Sequence, residues 1–106
     1  MGLLTSKEIL YAGLTDWRKL ALALHARFLT GDYASGADFA GAVVQSAAKA
    51  KRHPDVTLTR FYVDIKILSH DVGQVTDHDI DLARTISEVA HRRGITASKA
   101  SALTEI

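Results

Sequence analysis

The sequence has no cysteine, which excludes disulfide bridges, thiolate catalysis and cysteine-based zinc sites. Its opposite charges nearly cancel, and the formal net charge of +1 gives little electrostatic reason to expect nucleic-acid binding. No apolar run approaches the roughly 18 residues that a membrane span needs, and the first residues lack the pattern of a signal peptide. We therefore expect a cytoplasmic protein that binds neither nucleic acid nor membrane.

Proline occurs once, and no repeat, low-complexity tract or linker divides the chain. The 106 residues fit one domain, and the hydrophobic fraction of 47% is ordinary for a globular protein. We expect a single domain over residues 1–106, with an ordered core at about 5–94 and a loosely held tail at 95–106. A monomer of this size buries only a modest share of its surface, so self-association would help its stability.

The apolar pattern predicts the order helix, strand, helix, two strands, helix. The first helix is predicted to begin at Thr5, where Glu8 completes a capping box, and to end at Gly13. Apolar residues at even positions predict a strand over Leu20–Phe28, with a short strand around Trp17 as an option before it. The leucine and alanine content of this segment also suits a helix.

Two further helices are predicted from end signals. Ser35 resembles the N-cap of the second helix, which should end at about Arg52 because Pro54 disfavours a helical residue before it. The last helix is predicted to begin at Thr76 and to stop at Gly94. Its buried stripe is predicted to consist of Ile80, Ala83, Ile86, Val89 and Ala90.

Two histidines flank a predicted hairpin of strands at 56–59 and 62–68. The midpoint between His53 and His70 falls at the Phe61–Tyr62 step, and residues equidistant from the turn of an antiparallel pair lie opposite one another. Both imidazoles are then expected at one edge of the sheet, where they can supply a proton donor and a proton acceptor. A surface or capping role for each histidine is the alternative.

The remaining candidates are interpreted as structural or surface residues. These are the other histidines and a basic run that suits a helix end: His25, His78, His91, Lys49, Lys51 and Arg52. A zinc site from His53, His70 and Asp71 lacks the paired spacing that usually supports one, so we expect no metal. The sequence has no phosphate-binding loop and no nucleophile motif.

Three short motifs follow one another in the second half of the chain: Arg-His-Pro at 52–54, Ser-His-Asp at 69–71 and Gly-Gln-Val-Thr at 73–76. They resemble the signature of the pterin-4a-carbinolamine dehydratase family, which has His-His-Pro, then Thr-His-Asp/Glu, then Gly-Gly-Leu-Thr. The spacing from the proline to the later histidine agrees without insertion or deletion. Asp79 and the pair Leu82 and Ala83 also fit the family's last helix, and the resemblance covers roughly residues 5–93.

The resemblance implies an α+β fold, with a four-stranded antiparallel sheet, about three helices packed on one face, and association into homodimers or homotetramers. It also implies dehydration of 4a-hydroxytetrahydropterin to quinonoid dihydropterin, which recycles the cofactor of a pterin-dependent hydroxylase. No metal or organic cofactor is implied. Carried over residue by residue, the family pattern makes His53 and His70 catalytic and places Arg52, Pro54, Ser69 and Asp71 against the pterin.

The chain departs from the family pattern at three positions. Arg52 replaces the first histidine, Ala48 replaces an acidic residue, and Val56 lies where a bulky aromatic is common. An arginine stays protonated near neutral pH and cannot act as a general base, although it can donate hydrogen bonds to the pterin. Two alternatives therefore stay open. One is a non-catalytic binding or assembly module, such as the family's Rubisco assembly factors and its transcription-factor cofactor. The other is a dehydratase of a related carbinolamine.

Overall fold

The computed structural model describes residues 15–20, 23–68 and 76–98. In chain order these form β1 (Arg18–Leu20), β2 (Ala23–Leu29), α1 (Tyr33–Lys49), β3 (Asp55–Leu58), β4 (Tyr62–Ile67), α2 (Asp77–Arg92) and β5 (Thr96–Ala97). The elements confirm the α+β class, and the helix predicted at 5–13 lies outside the described residues. In the described ranges, neither helix is long and apolar enough to cross a membrane.

The sheet is antiparallel, and its main strands lie in the order β1, β2, β4, β3. The inner pair is β2 and β4, with Phe28 opposite Val63. The short strand β5 also pairs with β2, where Ala97 lies opposite Phe28. The prediction of an inner strand beginning at Tyr62 is confirmed. The described structure also continues through Ser98, whose N–H donates to the carbonyl of Arg27 at 2.7 Å, beyond the expected end of the core.

Both helices cover the same face of the sheet, as predicted. Alternate residues of β2 and β4 point into the core, and the apolar stripes of the helices pack on them. The ring of Phe28 makes edge contacts with Trp17 and Phe39, with centroid distances of 5.9 and 5.2 Å. The other main core residues are Leu24, Ala26, Val63, Ile65, Ile67, Val43, Ala47, Ile80, Ala83, Ile86 and Ala90.

The opposite face of the sheet is polar. Arg27 donates from Nε and Nη2 to the two carboxylate oxygens of Asp64, at 2.8 and 3.0 Å. Its guanidinium also lies 4.0 Å from the ring centroid of Tyr62. The hydrogen bonds to Asp64 raise the pKa of Arg27 above its ordinary value. This two-point pair ties the inner strands together on the side that the helices leave uncovered.

The start of α1 differs from the sequence prediction. The N-cap is Asp32 and not Ser35, because the Asp32 carboxylate accepts the backbone N–H of Ser35 at 2.8 Å and its hydroxyl at 3.1 Å. These hydrogen bonds hold the pKa of the Asp32 carboxyl below its ordinary value. The preceding residue, Gly31, has a φ of 82° and turns the chain out of β2.

Two glycines of α1 give a matched test of the packing between α1 and the sheet. A Cβ at Gly36 would lie 2.8 Å from Cδ1 of Leu58 and 3.1 Å from Oγ1 of Thr30, whereas a Cβ at Gly41 would meet no atom within 4 Å. We expect Gly36→Ala to lower the free energy of unfolding by about 1–2 kcal/mol through overpacking. Gly41→Ala should raise it by about 0.5–1 kcal/mol, since alanine favours a helix. Urea denaturation measures both, and equal effects of the two substitutions would contradict the close packing at Gly36.

Candidate active site

The chain leaves α1 through a left-handed turn. The helix ends at Lys49, three residues before the predicted end, and Lys51 has a φ of 57°. The N–H groups of Lys51 and Arg52 donate to the carbonyls of Ala48 and Ala47 at 3.0 and 2.9 Å, the hydrogen bonds of a Schellman motif. Glycine usually occupies the left-handed position, where another residue costs about 1 kcal/mol or more. Because a lysine stands there, the usual glycine stop signal is missing from the sequence at this point.

The end of α1 lies beside the start of α2, because the two helices run antiparallel. At the far end of the pair, Arg93 Nε lies 3.0 Å from Asp38 Oδ2, which joins the end of α2 to the start of α1. The near end of α2 begins at the N-cap Thr76, as predicted, and its capping box is completed by Asp79. The N–H of Thr76 donates to Oδ2 of Asp79 at 2.9 Å.

A cleft of about 110 Å³ opens where α1, β4 and α2 meet. Three of the predicted site residues, Arg52, His53 and Pro54, lie together along it. Its lining consists of Lys51, Arg52, His53, Pro54, Ile67, Leu68, Asp79 and Leu82. The lining residue Leu68 follows the end of β4 and immediately precedes Ser69 in the sequence. Ser69, His70 and Asp71 themselves lie outside the described residues, so their positions in this cleft stay predictions.

The hairpin that leads into the cleft forms as predicted, with its centre one residue earlier. Leu58 lies opposite Val63, which places the centre of the pairing at the Arg60–Phe61 step and not at the Phe61–Tyr62 step. Thr59 closes the turn, because its N–H and Oγ1 donate to the carbonyl of Tyr62 at 3.0 and 2.8 Å. A threonine hydroxyl thus makes the contacts that close this turn, which has neither glycine nor asparagine.

The shift of the hairpin changes the expected partner of His53. When the observed register is continued beyond Asp55, which pairs with Lys66, position 53 falls opposite Leu68. His70 comes two residues later in the sequence. The expected partner position of His53 therefore moves by two residues along the second strand, from position 70 to position 68. A shared cleft for His53 and His70 stays a prediction, and the family spacing supports it.

Asp79 is a cleft residue that sequence reasoning recognised only as a helix-capping and family-matching position. Its side chain is 1% exposed, and Oδ1 is buried without a hydrogen-bond partner among the described residues. Oδ2 is held by Thr76, so the orientation of the carboxylate is fixed. A buried carboxylate oxygen without a donor is costly, and an N–H group of a ligand could supply the missing hydrogen bond.

The mouth of the cleft is basic. Lys51 and His53 are exposed, Arg52 is half-buried, and none of them forms an ion pair with another described residue. Asp79 is the one acidic side chain among the lining residues of the described structure. In the same part of the chain, no group of three histidine, aspartate or glutamate side chains is placed to hold a metal ion. Lys51 and Arg52 can donate hydrogen bonds, and an imidazole such as that of His53 can also give or take a proton near neutral pH.

Known proteins resemble this chain in both fold and sequence. The fold resembles the crystal structure of a "transcriptional coactivator/pterin dehydratase" from Brucella melitensis, with a TM-score of 0.76, 27% identity, and coverage of 84% of this chain and 99% of that one. The family model described as pterin 4 alpha carbinolamine dehydratase matches residues 3–89. The chain therefore belongs to the pterin-4a-carbinolamine dehydratase family.

Two curated relatives agree with this assignment over most of their length. A protein of Thermosynechococcus vestitus is 34% identical over 83 residues, which cover 78% of this chain and 87% of the relative. A protein of Nostoc punctiforme is 33% identical over 89 residues, which cover 82% and 96%. Both carry the name "Putative pterin-4-alpha-carbinolamine dehydratase".

Proposed function

We propose that this chain dehydrates 4a-hydroxytetrahydropterin to quinonoid dihydropterin and so recycles the spent cofactor of a pterin-dependent hydroxylase. The observation that supports this most is the cleft in which Arg52, His53 and Pro54, three positions of the family motif, lie together with Asp79. Membership of the family supports the class of reaction. A cytoplasmic location stays a prediction from the sequence.

The reaction needs one acid and one base. A proton is delivered to the hydroxyl on C4a, the C4a–O bond breaks, and water leaves. The lone pair of N5 forms the new C=N bond, and the base removes the proton from N5. Imidazoles suit both tasks near neutral pH, and we assign them to His53 and His70, one protonated and one neutral at the start of the cycle.

The other cleft residues orient the pterin in this proposal. Arg52 stays protonated, so it donates hydrogen bonds to acceptor groups of the substrate. Asp79 accepts an N–H of the ring at Oδ1, the buried oxygen that lacks a partner among the described residues. Pro54, Ser69 and Asp71 contact the ring. Ile67 and Leu82 supply apolar lining beside it.

A direct assay tests the proposal. The purified protein is mixed with freshly generated 4a-hydroxytetrahydropterin, and formation of the quinonoid product is followed by absorbance. We expect the rate to rise above the uncatalysed rate in proportion to protein concentration. A protein that leaves the rate unchanged, in wild-type form and as Arg52→His, would overturn the dehydratase proposal.

A binding module is the second candidate. It is favoured by Arg52, which stands where the family has a histidine and cannot act as a base. The similar Brucella protein is also called a transcriptional coactivator, although that name belongs to the other protein. The dehydration assay separates the two candidates, because a binding module does not need to transfer protons.

We also propose that the chain forms at least a homodimer. Two features support this. β3 lies at an edge of the sheet, where its backbone can pair with another strand. The helix α1 has few charged residues, since Asp38 is its one charged residue before Lys49. Val44 on this helix is 55% exposed. Light scattering at micromolar concentration should give the mass of a dimer or tetramer. A monomer mass would contradict the proposal.

A charge on α1 tests whether this helix contributes to the interface. Val44→Glu is expected to shift the population towards a smaller species, because it would bury a charge against the partner. Gln45→Glu, at the neighbouring exposed position, is the matched control and should keep the wild-type mass. Equal masses for both variants and wild type would exclude α1 from the interface.

A further inference from the structure

We infer that the cleft selects a pterin carbinolamine that carries an anionic substituent, a carboxylate or a phosphate, and that Lys51 and Arg52 bind this group at the mouth. The inference rests on the proposed function and names the substrate class of the same site. It depends on the backbone at Lys51, on the absence of ion-pair partners for the two cations among the described residues, and on their position beside His53.

The backbone at Lys51 is the first observation. Its φ of 57° lies in the left-handed region, where a glycine would fit without strain. A cation near a helix C-terminus interacts favourably with the helix dipole, but Lys49 already provides that from within the last turn. The dipole therefore does not account for a lysine at the strained position. Strain of this kind is typical of functional sites.

The mouth of the cleft carries two positive charges that no described acidic side chain neutralises. Lys51 and Arg52 are consecutive, line the same cleft, and form no ion pair with a described residue. The acidic lining residue, Asp79, is buried, accepts from Thr76 at Oδ2, and forms no ion pair with either cation. Two adjacent cations repel one another, and an anion between them would relieve that repulsion.

The type of side chain points to an oxyanion. The guanidinium of Arg52 presents parallel N–H donors that match a carboxylate or a phosphate in two-point geometry, and the ammonium of Lys51 adds a point charge. The neutral ring of a pterin has no oxyanion for this pair to bind. His53 follows directly in the chain, so an anion held at the mouth would keep the ring beside the imidazole.

Equilibrium binding of pterin pairs that differ in one anionic group tests the inference. The probes are pterin against pterin-6-carboxylate and neopterin against neopterin monophosphate, titrated by their own fluorescence at low salt. We expect the anionic member of at least one pair to bind about tenfold more tightly. The affinity ratio is the affinity of the anionic pterin divided by that of its neutral counterpart. The pair with the larger affinity ratio identifies carboxylate or phosphate as the preferred group. Added salt should lower the ratio, because both cations lie at the solvent-exposed mouth.

Variants assign the preference to the two cations. In the double variant Lys51→Gly and Arg52→Gln, the affinity ratio is expected to fall towards one. Lys49→Gln is the control, because Lys49 lies at the same helix end but outside the cleft, and this variant should keep the wild-type ratio. Glycine suits the left-handed position, so the melting temperature of Lys51→Gly should equal or exceed that of wild type and exclude misfolding.

Two results would overturn the inference and leave the proposed function standing: a wild-type ratio below about twofold in both pairs, or a ratio that survives in the double variant. If none of the four pterins binds and dehydration is also absent, the proposed function fails and the inference fails with it.

Discussion

Replacing His70 with alanine is expected to lower kcat/KM for dehydration by about 10²–10⁴-fold, the usual contribution of a general acid or base. The reaction needs a group that gains or loses a proton near neutral pH, and alanine cannot replace the imidazole. His53→Ala should cause a loss of similar size, because the proposal gives each imidazole one of the two proton transfers. The measurement is the initial rate of dehydration as a function of substrate concentration.

His78→Ala is the matched control for the His70 variant. His78 is exposed in the first turn of α2, and it is absent from the lining of the cleft. Its removal should change kcat/KM by less than about twofold, as is usual for a surface group away from the chemistry. A His70 variant that keeps wild-type activity would remove His70 from the mechanism. Equal losses in both variants would point to a general effect on folding.

The hairpin shows how far the sequence determines the fold. Alternation of apolar and polar residues over β4 is strict, so the strand and the face that it buries could be read directly. The register was harder to predict because the turn is closed by the hydroxyl of Thr59, which is a weaker signal than glycine or asparagine. A shift of one residue in the turn moved the expected partner of His53 by two positions.

The ends of the helices show the same limit. The start of α2 was predictable because Thr76 and Asp79 form a capping box with a clear spacing, and Gly94, at a φ of 69°, marks its end. The end of α1 was not predictable to the residue, because Lys51 adopts the left-handed conformation without being a glycine. Local signals fail where the chain is strained, and here the strained residue borders the cleft.

The cleft was only partly predictable. Arg52, His53 and Pro54 are adjacent in the sequence, so their common position follows from one motif. Asp79 joins them only because α1 and α2 pack antiparallel over a shared apolar core, an arrangement set by tertiary packing. No pattern within α2 itself distinguishes a capping carboxylate from one that also lies in a binding site.

Arg52→His is expected to raise dehydratase activity, by about tenfold, which is less than the full contribution of a general acid or base because His53 and His70 already act. The guanidinium stays protonated near neutral pH and cannot take a proton, whereas an imidazole can give or take one. The backbone should tolerate the change, because the N–H of residue 52 still donates to the carbonyl of Ala47. The pH profile of kcat/KM should gain an ionisation near 6.5, the ordinary value for histidine.

Arg52→Gln separates the added imidazole from the lost charge. Both substitutions remove the cation, and both should weaken the binding of an anionic pterin, but only histidine offers a group that titrates in the working range. An equal gain in the two variants would mean that Arg52 merely hinders the reaction by its charge or size. A wild-type protein without activity that Arg52→His fails to activate would contradict the proton-transfer assignment. The binding-module function should then replace the dehydratase.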